Sequence, residues 1–142
     1  MRTRITDLLG IRFPLIQGGL WGLAYADLCG PVSVAGALCQ LTACMHDSPA
    51  SLAEESDRDR AITQKPFGVN FPMHARDQRE HLEAAIACGC SMVTLTGGDP
   101  TQYIEQVAGR VPALVLTSSV RQAVKAEAAG ASAVIVVGQE GG

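Results

Sequence analysis

The chain has 142 residues, 47% of them hydrophobic and only 4% aromatic, with 11 basic against 14 acidic side chains and a formal net charge of −3. That length fits one domain, and the apolar content of Ala, Val, Leu and Ile is enough for a sizeable core. The charge offers no basic surface for nucleic acid or an anionic membrane, and no apolar run reaches the roughly 18 residues that a membrane helix needs.

The N-terminus, MRTRITDLLG, has Asp7 and Gly10 interrupting any apolar signal-peptide region, so the sequence reads as cytoplasmic. The first apolar run, residues 15–20, predicts a strand that ends in Gln17-Gly18-Gly19-Leu20. The helical segment after it contains Gly30-Pro31, a poor fit that is expected to kink or split the helix. Runs at 37–42, 67–71, 92–96, 113–116 and 133–137 predict five further strands. None alternates cleanly, as expected of strands buried on both faces of a parallel sheet.

Helical patterns fill the gaps. Ser48-Pro49 reads as an N-cap followed by a first-turn proline, and Asp99-Pro100 repeats the device. Residues 54–60, EESDRDR, form a charge run expected on the solvated face of a helix. Ser119-x-x-Gln122 reads as a capping box. Val120, Ala123, Val124 and Ala128 then give the last helix an apolar stripe, which Gly130 ends.

The product is a β-α repeat closing on a sixth strand, with strand starts roughly 20 to 30 residues apart and no linker. Two architectures fit this class of parallel α/β chain. One is an open, doubly wound sheet; the other is a (β/α)8 TIM barrel cut after its sixth strand. Periodicity alone leaves both open.

Both architectures gather function at the C-terminal ends of the strands. Those tips are Gln17 to Leu20, Cys44-Met45-His46, Asn70-Phe71-Pro72, Thr96-Gly97-Gly98, Thr117-Ser118 and residues 138–142. Three of the six contain Gly-Gly, which lets backbone approach a flat or phosphorylated ligand. No G-x-G-x-x-G follows the first strand, which disfavours a classical dinucleotide fold. No metal-ligand spacing and no G-x-S-x-G is present either. His46 and His74 fall in loops that could reach a site, whereas His81 lies mid-helix at a surface or boundary position. The five cysteines, an odd number, read as reduced and mostly buried thiols.

Four stretches, "FPLIQGGL", "VSVAGALCQLTA", "KPFGVNFP" and "AEAAGASAVIVVGQEGG", occur in the order seen in the nitronate monooxygenases, formerly called 2-nitropropane dioxygenases. The chain resembles that family along its whole length. FMN-dependent enoyl-acyl-carrier-protein reductases share the same patterns. The resemblance implies residues 1–142 of one FMN-binding (β/α)8 barrel, an N-terminal part lacking strands seven and eight. By the same resemblance, Gly18, Gly19 and Leu20 lie against the flavin ring, and the Asn70 amide meets its pyrimidine end. Gly138, Gln139, Gly141 and Gly142 form the loop beside it, with Ser118 and Ser119 near the fifth tip. The family's G-x-E-(A/G)-G-G-H places the catalytic histidine two residues after Gly142, so no catalytic residue is assigned within the chain. The implied substrate is a small molecule, either a nitronate oxidised with dioxygen or an enoyl thioester reduced with NAD(P)H; the other expectation is an inactive fragment or partner-dependent remnant. Departures are Leu20 for the usual methionine, Ala37 and Cys39 for two usual glycines, and Val137 for an acidic residue.

Overall fold

The computed structural model describes residues 2–75 and 78–138. A short helix, α1 (Arg4–Leu9), starts on a Thr3/Thr6 capping box and ends on Gly10. There follow α2 (Ala26–Ala35), β1 (Cys39–Thr42), α3 (Pro49–Ile62), β2 (Phe67–Pro72), α4 (Arg79–Ala87), β3 (Met92–Thr96), α5 (Thr101–Val107), β4 (Ala113–Thr117), α6 (Val120–Ala128) and β5 (Ala133–Val136). The strands form one parallel sheet in the order β1-β2-β3-β4-β5.

That order decides between the two architectures. A doubly wound sheet reverses direction at a switch point, whereas barrel strands follow one another as consecutive staves. No reversal occurs here, and the side chains divide accordingly. Leu41, Phe67, Val69, Phe71, Val93, Leu95, Ala113 and Val115 pack outward beneath the helices in one large core. On the opposite face, Met92 and Leu114 join Leu38 with Leu9 and Ile11 from the α1 region, so α1 plugs the N-terminal end of the strands.

Residues 15–20 do not make the expected first strand. Only Ile16 pairs, in a single parallel bridge with Leu38, flanked by hydrogen bonds from Gln17 N to Leu38 O and from Leu38 N to Leu15 O. Pro14 lacks a donor on one side and Gly18-Gly19 turns away on the other, leaving too few residues for a ladder. The described sheet therefore has five strands where six were expected.

Gly30-Pro31 also departs from expectation, because α2 runs unbroken through it. Pro31 lies on the exposed face, while Ala26, Cys29 and Ser33 are buried. Gly30 is in close contact with α3: a Cβ there would lie 2.5 Å from Ile62 Cγ2 and 2.8 Å from Ile62 Cβ.

The charge run in α3 is not simply solvated. Glu55 and Asp59 are buried, on the same face as Leu52 and Ser56. Glu55 accepts a 2.7 Å hydrogen bond from Ala26 N, capping the amide end of α2, and pairs with Arg58 at 2.9 Å. Helical i, i+4 spacing carries Asp59 into the same interface, where neither carboxylate oxygen has a hydrogen-bond partner among the described residues. Burial, opposed by Arg60 and reinforced by Glu55, raises the Asp59 pKa to about 6.

Ser48 caps α3 with Pro49 at its first turn, as expected. The α5 helix starts one residue later than expected, because Asp99 Oδ1 accepts from Thr101 N instead of capping from the helix-adjacent position. Ser119 caps α6 through Gln122 N, but the Gln122 side chain accepts from Ser118 N, so the box is only half closed. Cys29 and Cys39 are joined as a disulfide between α2 and β1, which corrects the expectation of five reduced thiols. Their Cα atoms are 4.8 Å apart, a separation that such a bond spans. Cys88 and Cys90 lie outside that disulfide, and burial pushes the Cys90 thiol up to about 12.

Candidate active site

A cleft of about 450 Å³ opens at the C-terminal ends of the strands. Its floor follows from strand register. Thr42 pairs with Asn70, and Asn70 with Thr94, so three polar side chains form one inward layer. Gln40 lies one layer below, level with Gly68, and Pro72 and Thr96 lie one layer above. Ile16, Leu116 and Ile135 supply apolar wall. Gly68 leaves room for the Met92 thioether, whose sulfur would lie 2.6 Å from a Cβ at that position.

Gly18 and Gly19 close one side of the cleft. A Cβ on Gly19 would fall 2.8 Å from Asn70 Cβ, Asn70 Oδ1 and Thr42 Oγ1. Only a glycine lets that backbone approach the polar layer so closely. The opposite holds at Gly18, where a Cβ would meet nothing within 4 Å and open space lies beside the backbone.

The polar layer has unused capacity. Among the described residues, Gln40 Oε1 and Thr42 Oγ1 are buried without a hydrogen-bond partner, and the Asn70 amide makes no side-chain hydrogen bond. Buried polar atoms are normally paired, so these atoms fit a polar ligand edge. An asparagine amide both donates and accepts, which suits a ring bearing adjacent carbonyl and N–H groups. The glycine cradle and this polar floor together fit a flat heterocycle such as the flavin ring.

The structure thus brings Gly18, Gly19 and Asn70 to one cleft. Leu20 is 44% exposed and does not line the cleft. Gly138 ends the described region just past β5. Gln139, Gly141 and Gly142 lie outside the described residues. Ser118 borders a neighbouring groove between the β3–α5 and β4–α6 tips with Arg121 and Lys125, not the cleft. Lys125 pairs there with Asp99 at 2.7 Å and holds that carboxyl well below the usual range.

The three histidines separate cleanly. His74 lines the cleft, its Nδ1 2.7 Å from where a Gly97 Cβ would be. His46 is buried away from the cleft, with its ring edge-on to Tyr25 at 6.0 Å. His81, expected near the surface, is buried in α4 with Nε2 3.0 Å from His46 O. The α3–α4 packing draws it inward, a tertiary effect that the local helical pattern did not carry.

Gln40, Thr42, Thr94 and Trp21 escaped the sequence reading. A signal did exist for the first three. Polar Gln40, Thr42, Asn70, Thr94 and Thr96 occupy every second position of their strands, between apolar residues packed under the helices. Period two defines one face of a strand.

These features define a half barrel with a ligand cleft at its strand tips. The chain belongs to the nitronate monooxygenase family, whose model matches residues 2–142. Over its whole length it is 33% identical to a (3aS,4S,5R,7aS)-5-hydroxy-7a-methyl-1-oxo-octahydro-1H-indene-4-carboxyl-CoA dehydrogenase of Mycobacterium tuberculosis, covering 40% of that protein. It is 28% identical to a probable nitronate monooxygenase of Staphylococcus saprophyticus, again over the whole chain and covering 50% of that protein. Among solved structures, FabK from Thermotoga maritima matches 99% of this chain and 45% of its own, with a TM-score of 0.92 and 33% identity. A nitroalkane oxidase from Streptomyces ansochromogenes shares the fold at a TM-score of 0.80 and 22% identity. The chain thus spans about half the length, or less, of the proteins it matches. By their names, three of these proteins are a dehydrogenase, a monooxygenase and an oxidase.

Proposed function

We propose that this chain forms the flavin-ring side of an FMN-dependent oxidoreductase that oxidises nitronates to a carbonyl compound and nitrite with dioxygen. The observation that carries the reading is the cradle at Gly19, where backbone lies against Thr42 and Asn70 with no room for a Cβ. FMN, when bound, supplies the electron transfer. The chain's own residues supply position: Gly18 and Gly19 admit the ring and Asn70 orients its polar edge. Gln40 and Thr42 offer the acceptors left unpaired on the cleft floor. Gly138, Gln139, Gly141 and Gly142 belong to this reading as the loop beside the ring, and Leu20 as a contact of the ring. The setting we infer is cytoplasmic.

We also infer that residues 1–142 are the N-terminal part of a barrel whose remaining strands come from further polypeptide. The phosphate sites of such barrels are commonly built by the loops after strands seven and eight. The 142 residues alone are therefore expected to hold FMN weakly and to turn over no substrate.

A second reading has its own support. The likeness to the CoA-thioester dehydrogenase and to FabK, an enoyl-acyl-carrier-protein reductase, favours a thioester substrate with NAD(P)H as donor. One experiment separates the two. The protein from the complete reading frame is loaded with FMN and assayed for nitrite release from alkyl nitronates under oxygen. A parallel assay follows NAD(P)H oxidation by an enoyl thioester. Nitrite without NAD(P)H consumption supports the first reading; the converse supports the second. A protein that binds no FMN refutes both.

A further inference from the structure

Trp21 is the chain's single tryptophan, and it stands 75% exposed at the mouth of the cleft. Leu23 beside it is 65% exposed. Neither residue sits on a loose tail. Leu20 O accepts hydrogen bonds from Leu23 N at 3.1 Å and Ala24 N at 2.9 Å, closing a tight turn around Trp21. Gly22, with φ +73°, supplies the left-handed step of that turn, and its N–H donates to Met45 Sδ at 3.3 Å. Upstream, Gln17 N is tied to Leu38 O at 2.8 Å; downstream, Ala24 and Ala26 are fully buried. The indole is thus presented to solvent from a turn fixed at both ends.

An exposed apolar surface of this kind calls for an occupant. Trp21 lines the same cleft as Gly19, Thr42 and Asn70, so whatever covers the indole from the cleft side lies over the polar floor. A small molecule can enter that concavity above a ring held on the floor; a flat protein surface cannot. Tryptophan joins a broad aromatic face to low side-chain entropy, which suits it to bind a ring.

We propose that Trp21 is a substrate-recognition residue that stacks on the apolar body of the substrate and selects compounds carrying a ring or bulky hydrocarbon over short-chain ones. The proposal rests on the reading of the cleft as a flavin oxidoreductase site and adds the substrate class to it. Trp21 grips the substrate's body while Gly18, Gly19 and Asn70 face the redox ring below.

The test uses the protein of the complete reading frame, loaded with FMN. The probes are phenylacetate and acetate, unreactive anions that resemble a nitronate with and without a ring. Binding is read from the absorbance of bound flavin and from indole emission, with Trp21→Phe assigning the emission change to this residue. The expected results are saturable quenching by phenylacetate and a clear preference for it over acetate. Trp21→Ala should shrink that preference roughly fivefold to tenfold, and Trp21→Phe should retain most of it. An unchanged preference in Trp21→Ala overturns the proposal. Emission that depends on protein concentration and not on phenylacetate also overturns it, and assigns the indole to an interface between copies. Failure of the wild type to bind FMN sinks the flavin reading alone. Phenylacetate quenching, measured without flavin, then still decides whether Trp21 holds a ring.

Discussion

Gly19 and Asn70 stand so close that a single methyl group on the glycine would overlap the asparagine, 2.8 Å from both its Cβ and its Oδ1. The contact joins the first strand-tip segment to β2 across the cleft. Gly19→Ala must displace either Asn70 or its own backbone, at a cost of ~1–3 kcal/mol from overpacking. Gly18→Ala meets nothing within 4 Å and should leave the melting temperature unchanged. Thermal melts of the two variants check this, and equal destabilisation would falsify the cradle geometry. FMN titration adds the functional half: both substitutions should weaken binding, Gly18→Ala without any loss of stability.

Thr42→Val offers the reverse dissociation. The Thr42 hydroxyl is buried and unpaired, so its removal relieves an unsatisfied group while keeping the side-chain shape. The variant should melt at the same temperature or slightly higher, yet bind FMN several-fold more weakly. Unchanged affinity would show that this hydroxyl meets no ligand.

Asp59 gives the protein a pH dependence of definite sign. Its carboxyl is fully buried and raised from 3.8 to about 6, first by burial, with Arg60 opposing and Glu55 adding. Well below pH 3.8 the group is neutral in folded and unfolded chains alike and adds no pH dependence. As pH rises through the interval from 3.8 to 6, the unfolded chain releases its proton first, so stability falls. The penalty is complete above pH 6 and is on the order of 3 kcal/mol for a shift of this size. Melting temperature followed from pH 4 to 8 should therefore show a component of decline that Asp59→Asn removes. A variant profile parallel to wild type would refute the assignment.

Gly30→Ala tests the α2–α3 contact. The new methyl would lie 2.8 Å from Ile62 Cβ, close to the α3 backbone, where the side chain cannot simply swing aside. The expected cost is ~1–3 kcal/mol, and Ile62→Ala should recover part of it in the double variant. Additive denaturant midpoints would mean that the two positions do not interact.

The far side of the sheet carries an apolar surface. Val120 and Val124 on α6 and Val136 on β5 are all exposed, and among the described residues β5 pairs with β4 alone. Unpaired strand edges and apolar patches promote association. The 142-residue polypeptide by itself should sediment as concentration-dependent oligomers, and Val120→Lys with Val124→Glu should shift it toward monomer. A monodisperse wild-type monomer would count against this.

The sequence by itself determined a great deal here. Apolar runs separated by capped helices located β1 to β5, because buried parallel strands and helix caps are local patterns. Ser48-Pro49, Ser119 and Gly130 act where the chain predicted them, each working through neighbours in sequence. The family was legible too, since four short motifs kept their order. Gly18, Gly19 and Asn70 were legible as strand-tip residues from the apolar runs, and only their places beside a flavin came from the resemblance; nothing local marks Gly19 as different from Gly18.

Tertiary structure decided the rest, because the deciding contacts join residues distant in the chain. Strand order chose the barrel over the doubly wound sheet, and it depends on which strands pair, not on where they lie in sequence. Pairing also demoted residues 15–20 to a single bridge with Leu38. Packing of α3 on its neighbours buried Glu55 and Asp59 from a run that composition marks as solvated, and drew His81 inward. Register aligned Thr42, Asn70 and Thr94 into one polar floor, and the turn at Gly22 raised Trp21 over it. Local chemistry sets what each segment can form; only the meeting of segments sets which polar atoms are left facing the cleft.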